Sequence, residues 1–166
     1  MNFKKIISIA LCICCTVYIF ASCNKKEYSD TSTCKDVSNE LKREISVPEG
    51  EFSQYTDKEL TFFFSSPALY NDCAVIYSKD TEDIAELGIL HATDEETAKK
   101  LLDDVKLYIK NLQEQKLEFL SNYSPDEVEK LNSAEARRFG NYVIFTVASP
   151  TDKKCVFEKA EKLLKK

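Results

Sequence analysis

The sequence predicts an α+β domain in which a four-stranded antiparallel sheet, made of two hairpins, is packed on one face by a long amphipathic helix and a C-terminal helix, with small helices preceding them. Residues 93–123 carry apolar side chains at three- and four-residue steps and charged side chains opposite them, as in a helix with one buried face. Two pairs of short apolar stretches lie before and after this helix, and each pair is joined by a turn sequence. A second helical stripe follows near the C terminus.

The long helix is predicted to begin at Thr93, because Glu96 three residues later forms a capping pair in which each side chain satisfies a backbone N–H. At the other end of the helix, Phe119 and Tyr123 are expected to close over the sheet. The predicted buried face consists of Ala98, Leu101, Leu102, Val105, Tyr108, Ile109, Leu112, Phe119 and Leu120.

The first predicted hairpin joins residues 73–78 to residues 85–92 through an acidic loop, and its strands are rich in β-branched residues. The second joins residues 134–139 to residues 142–148 through Gly140-Asn141, a two-residue turn signal. Alternation with a period of two places one set of side chains of the last strand on the core side, namely Val143, Phe145 and Val147.

The remaining elements follow from caps and short apolar stripes. A helix over residues 34–45 buries Val37, Leu41 and Ile45, and a turn or loop spans residues 46–54. A second helix is predicted to be capped by Thr56 and Glu59 and to stop near Pro67, and a brief helix is predicted from Ser124 to Leu131. The C-terminal helix is predicted to begin at Ser149, and its apolar stripe consists of Val156, Ala160, Leu163 and Leu164.

The first 22 residues have the layout of a secretory signal, with a basic start, a mainly apolar run and small residues before Cys23. The sequence Phe20-Ala21-Ser22-Cys23, followed at once by polar residues, resembles the lipobox of bacterial lipoprotein signal peptides. The resemblance implies transfer of diacylglycerol to the Cys23 sulfur and cleavage just before it. We therefore expect a signal peptide over residues 1–22, a lipidated Cys23 with a polar tether over residues 23–33, and one domain over residues 34–166.

Two alternatives stay open for this segment: a retained transmembrane anchor, and an ordinary cleaved signal with Cys23 as a structural thiol. The apolar run over residues 6–21 is short for a span, because a crossing helix needs about 20 residues. The lipoprotein interpretation implies a location at the cell membrane, with the domain lipid-anchored on the extracytoplasmic face. Membrane lipid, reached through acyl chains such as palmitate at Cys23, is then one expected partner.

The composition disfavours several function classes. The net charge of −5 argues against nucleic acid as a partner. The three glycines, Gly50, Gly88 and Gly140, are not spaced to cradle a phosphate, so no nucleotide cofactor is expected. His91 is the sole histidine and cannot form a histidine-based zinc triad, so no metal site is expected; we interpret it as a strand-end residue with a hydrogen-bond partner.

The cysteines of the mature domain do not suggest a disulfide framework. Cys34, Cys73 and Cys155 are odd in number and far apart in sequence, which favours free thiols over a CxxC redox or zinc site. One pair could still bridge distant segments, and the sequence leaves their redox state open.

The polar clusters have structural interpretations beside functional ones. The acids Glu82-Asp83, Asp94-Glu95-Glu96 and Asp103-Asp104 suit solvated loops and helix faces, although the loop at Glu82-Asp83 could ligate a cation. Arg137-Arg138 could clamp a carboxylate or phosphate, or form salt bridges along a strand. Phe62-Phe63-Phe64 could line a ligand pocket, but aromatics at helical spacing favour the core.

A family resemblance covers about residues 56–164. It rests on the run Glu86-Leu87-Gly88-Ile89-Leu90-His91-Ala92, on Gln115, Phe119, Tyr123, Pro125 and Leu131, and on Arg138-Phe139-Gly140-Asn141-Tyr142-Val143. These motifs are similar to those of a lipoprotein family of low-GC Gram-positive bacteria known as domain of unknown function 4358. The resemblance implies an extracytoplasmic location on a lipid anchor, and it assigns no catalytic residue.

The matched residues are turn and core positions, which favours a binding module over an enzyme. We therefore expect a membrane-anchored extracytoplasmic lipoprotein whose domain binds a small ligand or a protein partner without catalysis. The alternative is a cell-envelope hydrolase with an acidic site, with or without the assistance of a metal. Acids converging in one deep pocket would favour the hydrolase.

Overall fold

The computed structural model describes residues 27–47, 51–64 and 67–166. Its helices are α1 (Cys34–Leu41), α2 (Asp57–Phe63), α3 (Glu95–Tyr123), α4 (Val128–Ser133) and α5 (Pro150–Leu164). Its strands are β1 (Phe52–Gln54), β2 (Asp72–Ser78), β3 (Glu86–His91), β4 (Glu135–Phe139) and β5 (Tyr142–Val147). Short 3₁₀ turns occupy Lys42–Glu44, Pro67–Leu69 and Pro125–Glu127.

The five described strands form one antiparallel sheet in the order β1-β2-β3-β5-β4. The α+β class, both hairpins, the long helix and the C-terminal helix are confirmed. The prediction of four strands was wrong, because Phe52–Gln54 pairs with β2 in a stretch that we expected to be a loop. Three residues are too few to display alternation, so this strand is defined only by its non-local partner.

Helices cover both faces of the sheet, so the expectation of a single covered face was also wrong. One core, against α1 and α5, contains Leu87, Ile89, Tyr142 and Ile144 from the central strands. The other, against α2 and α3, contains Val75, Leu90, Val143 and Phe145. All six residues of β5 are buried, and a strand that is apolar on both sides gives no reliable alternation to read.

The close packing of α3 on the sheet depends on one glycine. Gly88 of β3 lies directly opposite Phe145 of β5, and a Cβ at Gly88 would lie 1.9 Å from a ring carbon of Phe145. Only a residue without a side chain leaves room there for the phenylalanine ring.

Local capping chemistry sets most helix ends. Thr56 and Glu59 form the expected capping box at α2, and the Ser149 side chain accepts from the Asp152 N–H at α5. At α3 the cap is Asp94, whose side chain accepts from the Thr97 N–H at 2.8 Å, so the prediction of Thr93 was wrong by one residue. A carboxylate at this position also complements the positive end of the helix dipole.

Several aromatic and apolar predictions need correction. Phe119 and Tyr123 do not close over the sheet; they are exposed and contact each other, with ring centroids 4.9 Å apart. Phe62 is 78% exposed, whereas Phe64 is buried as expected. Leu163 is partly exposed, because α5 buries Phe157 instead.

The chain segment at residues 27–32 packs on the domain rather than projecting from it. Tyr28 forms an isolated antiparallel bridge with Lys165, and its hydroxyl donates to Glu161 at 2.8 Å. Its ring meets Phe139 edge-on. The Tyr142 hydroxyl donates to the Ser32 carbonyl at 2.5 Å. Part of the expected tether is thus held against the C-terminal end of the domain.

Candidate functional site

A cleft of about 510 Å³ lies beside the middle and the C-terminal half of the long helix, where α2, α3, the end of β2 with the loop that follows it, and the start of β3 meet. Its volume is within the range typical of sites for small organic molecules. Half of the lining residues are aromatic or apolar, and the other half are polar or charged. The aromatic residues are Tyr55, Phe62, Phe63, Tyr77 and Tyr108, and the acidic residues are Asp80, Asp83 and Glu86.

Glu86 reaches this cleft because of its place in the sheet. It is the first residue of β3, paired with Tyr77 on one side and with Val147 on the other. Alternation along β3 puts Glu86 on the same face as Leu90, toward α3. The side chain therefore lies beneath the long helix, and the residue is only 5% exposed.

Tyr108 supplies the partner that a buried carboxyl requires. Its hydroxyl donates to both carboxylate oxygens of Glu86, at 3.0 and 2.8 Å. Burial nevertheless raises the pKa of Glu86 to about 7, and the hydrogen bond from Tyr108 opposes this only in part. The pKa of Tyr108 is raised far above its usual value by burial and by the facing carboxylate. The cleft thus holds a carboxyl group that changes charge near neutral pH.

An aromatic wall flanks this carboxyl. The ring of Tyr55 stacks on Tyr77 with centroids 4.3 Å apart and meets Phe63 edge-on at 4.9 Å. Phe63 in turn lies 5.7 Å from Tyr108. The backbone N–H of Tyr55 donates to the Val75 carbonyl at 3.0 Å, which continues the pairing of β1 with β2 and fixes the ring in place. Phe62 lies exposed at the rim.

Asp83 lines the cleft beside Glu86 and is held by its own contacts. One carboxylate oxygen accepts from Lys130 Nζ at 2.7 Å and from the Ala85 N–H at 2.9 Å. Lys130 also pairs with Glu127 at 2.8 Å. The second oxygen of Asp83 is buried and has no hydrogen-bond partner among the described residues. A buried carboxylate oxygen of this kind favours a donor from outside the protein.

The other residues singled out in the sequence have structural partners. His91 lies between Asn71, at 3.0 Å from Nδ1, and Asp30, at 2.6 Å from Nε2, which confirms its interpretation as a hydrogen-bonded strand-end histidine. Arg137 donates to Glu135 at 2.6 Å and lies over the Phe157 ring. Arg138 donates to the Gly140 carbonyl at 2.7 Å. Within the described chain these arginines therefore have intramolecular contacts.

The three cysteines of the domain are free thiols in the structure. Burial and the nearby Asp72 raise the pKa of Cys34 far above its usual value, and burial raises the pKa of Cys73 to about 11, so neither thiol is activated as a thiolate. Among residues 27–47, 51–64 and 67–166, no cluster of histidine, cysteine or acidic side chains is arranged to hold a metal ion.

The predictions about membrane attachment concern mainly residues 1–23. Cys23 and the signal segment lie outside the described residues. No helix in the described part of the chain combines the length and apolar character that a membrane crossing demands.

The comparison with protein families agrees with the motif resemblance. Residues 50–148, more than half of the chain, match the family described as a domain of unknown function, DUF4358. The chain belongs to this family. It matches no curated protein and no solved structure.

The sequence interpretation missed the roles of Glu86, Tyr108 and Tyr55. One signal was available. Glu86 and Leu90 are four residues apart in a strand and therefore lie on the same face, which places a charged residue at an inward position of an apolar strand. Tyr108 stood on the predicted buried face of the long helix. That the two meet depends on the register between helix and sheet, which no local pattern contains.

Proposed function

We propose that this protein is a bacterial lipoprotein of the low-GC Gram-positive type, anchored through Cys23 on the extracytoplasmic face of the cell membrane, and that its domain binds a small ligand without catalysis. The observation that supports the binding role is the aromatic cleft with its buried, hydrogen-bonded Glu86. Pockets that combine apolar walls with a few convergent polar groups are the usual form of small-molecule sites.

The anchor is supported by the lipobox-like sequence and has a geometric consequence. Residues 1–22 are the proposed signal peptide, and residues 34–166 the proposed domain. Within the proposed tether, residues 27–32 contact the domain, and only residues 24–26 separate them from Cys23. Because a chain extends by at most about 3.6 Å per residue, the domain would lie within about 15 Å of the lipidated cysteine.

Metabolic labelling with a clickable fatty acid tests the anchor. The wild type is expected to take up the label and to fractionate with membranes, and Cys23→Ala is expected to lose both properties. Cys155→Ala serves as the matched control, since Cys155 is a partly buried thiol of the domain. An unlabelled wild type, or label that survives Cys23→Ala, would contradict the proposal.

Ligand binding is tested by blocking the cleft. Asn111 is an exposed residue of α3 that lines it, so Asn111→Trp fills the space without disturbing the core. Lys106, exposed on the same helix outside the cleft, provides the control Lys106→Trp. A chemically diverse panel of small molecules is screened by thermal unfolding. We expect at least one member to raise the melting temperature of the full-length protein and of the control, but not that of Asn111→Trp. Equal shifts in both variants, or none in the wild type, would refute the cleft as a binding site.

A hydrolase remains the second candidate, and one observation favours it. A buried carboxyl with a pKa near 7 is suited to general acid or base catalysis at neutral pH. The two functions differ in what is recovered after incubation. A binding domain returns its ligand unchanged, whereas a hydrolase returns products. If the protein is a hydrolase, Glu86→Gln should bind the substrate and form no product.

A further inference from the structure

We infer that the ligand of this cleft is an organic cation, namely a protonated amine attached to an apolar or aromatic body. The inference rests on the proposed function, because it names the ligand class of the same site. It follows from the acids, the aromatic wall and one buried oxygen atom.

Charge is the first argument. Asp80, Asp83 and Glu86 contribute carboxyl groups to the lining, and two lysines, Lys79 and Lys116, reach it from the rim. Lys79 is exposed and pairs with Glu51 at 2.7 Å, outside the set of lining residues. The carboxyl groups are the deeper charges of the lining, since Asp83 and Glu86 are buried while both lysines are exposed. Lys130, outside the lining, is shared between Asp83 and Glu127, so that cluster keeps one negative charge. A positive ligand group complements this arrangement, and a negative one opposes it.

The buried oxygen is the second argument. One oxygen of Asp83 accepts two hydrogen bonds from the protein, and the other accepts none from any described residue. A carboxylate oxygen accepts hydrogen bonds and cannot donate them, so the missing partner must be a donor. An ammonium group supplies such a donor together with the complementary charge, which makes the hydrogen bond stronger than one from a neutral group.

The aromatic wall is the third argument. Tyr55, Phe63, Tyr77 and Tyr108 form a chain of ring contacts beside the carboxyl groups. Ring faces attract cations through their quadrupole and at the same time accept an apolar body. This combination favours an amine with a hydrophobic part over a bare inorganic cation.

Probes of similar size and different charge test the inference. They are 2-phenylethylammonium, 2-phenylethanol and phenylacetate, with n-hexylammonium as a cation that lacks the ring. Isothermal titration calorimetry measures the affinity of each probe. We expect both cations to bind the full-length protein at least about tenfold more tightly than the alcohol, and the acetate to bind most weakly.

Variants of similar shape identify the charges involved. Glu86→Gln removes one buried acid and is expected to reduce the preference for cations by about tenfold. Glu82→Gln, which changes an exposed acid of the loop before β3 that does not line the cleft, should leave the preference unchanged. A preference for the anion, equal binding of all probes, or no binding of either cation would overturn the inference. The binding function itself is tested separately, by whether members of the broader panel raise the melting temperature of the wild type but not that of Asn111→Trp.

A free amine is expected rather than the amine of a phospholipid headgroup, because a phosphate would bring negative charge toward Asp83 and Glu86. Vesicles of phosphatidylethanolamine should therefore not displace 2-phenylethylammonium. Displacement by these vesicles would overturn the assignment to a free amine.

Discussion

The hydroxyl of Tyr108 bridges both carboxylate oxygens of Glu86, and this contact joins the long helix to the first residue of β3. The two residues are 22 positions apart in the sequence. Their contact satisfies a polar pair inside an otherwise apolar layer, and it links the protonation of one carboxyl to the stability of the domain.

Glu86 should make the stability depend on pH. Burial raises its pKa from 4.5 to about 7. Between these pH values the unfolded chain has lost the proton that the folded protein still holds, so the free energy of unfolding falls as the pH rises and levels off above 7. We expect a loss of roughly 3 kcal/mol over this window. In Glu86→Gln this decrease should be absent from urea unfolding curves at pH 5, 6, 7 and 8; parallel pH profiles for the two proteins would show that Glu86 is not responsible.

Tyr108→Phe should destabilise the domain more at high pH than at low pH. The substitution keeps the ring and removes the donor, and a hydrogen bond to a charged acceptor contributes about 1.5 to 3 kcal/mol, against about 1 kcal/mol for a neutral one. Equilibrium unfolding at pH 5 and pH 8 measures the difference. Tyr70→Phe, which alters another partly buried tyrosine packed against the same core, is the control. The prediction is wrong if Tyr108→Phe has the same effect at both pH values, or if its larger effect at pH 8 persists in a Glu86→Gln background.

Gly88→Ala should be strongly destabilising. The new Cβ would meet the Phe145 ring at 1.9 Å, and both residues are buried where two central strands pair. Forcing a methyl group into a packed core costs about 1 to 3 kcal/mol or more. Thermal unfolding measures the loss, and Phe145→Leu in the same chain should recover part of it by making room. Gly88→Ala with wild-type stability would mean that the ring moves aside without strain.

Tyr28→Ala should loosen the N-terminal segment. The substitution removes the hydrogen bond to Glu161 and the edge-on contact with Phe139, for an expected loss of about 1 to 2 kcal/mol. Hydrogen exchange should become faster at Ser29 and Lys166, whose N–H groups donate to Leu164 and Glu27. Tyr28→Phe keeps the ring and should retain most of the protection. Unchanged exchange in Tyr28→Ala would show that the backbone bridge alone holds the segment.

Local sequence chemistry predicted the elements whose signals are local. The capping box at Thr56, the Gly140-Asn141 turn and the end of the long helix at Tyr123 all depend on residues within a few positions of one another. The strand at Phe52–Gln54 was missed because it is defined by pairing with β2, some 20 residues further along the chain.

The candidate site could not be predicted for the same reason. Tyr55 and Tyr77 meet only because β1 pairs with β2, and Glu86 and Tyr108 meet only because the long helix packs on one particular face. Each of these residues has an ordinary structural interpretation when taken alone. Their proximity depends on tertiary packing, which the local patterns of one sequence do not reveal.

The bridge between Tyr28 and Lys165 places a timing constraint on folding. These residues stand near opposite ends of the described chain, so their contact cannot form until the C-terminal helix has been synthesised. A chain whose C-terminal helix is still inside the ribosome therefore cannot complete the fold, however much of its sheet has already paired. For the same reason, deletion of the last few residues should release the N-terminal segment as effectively as the substitution of Tyr28 itself.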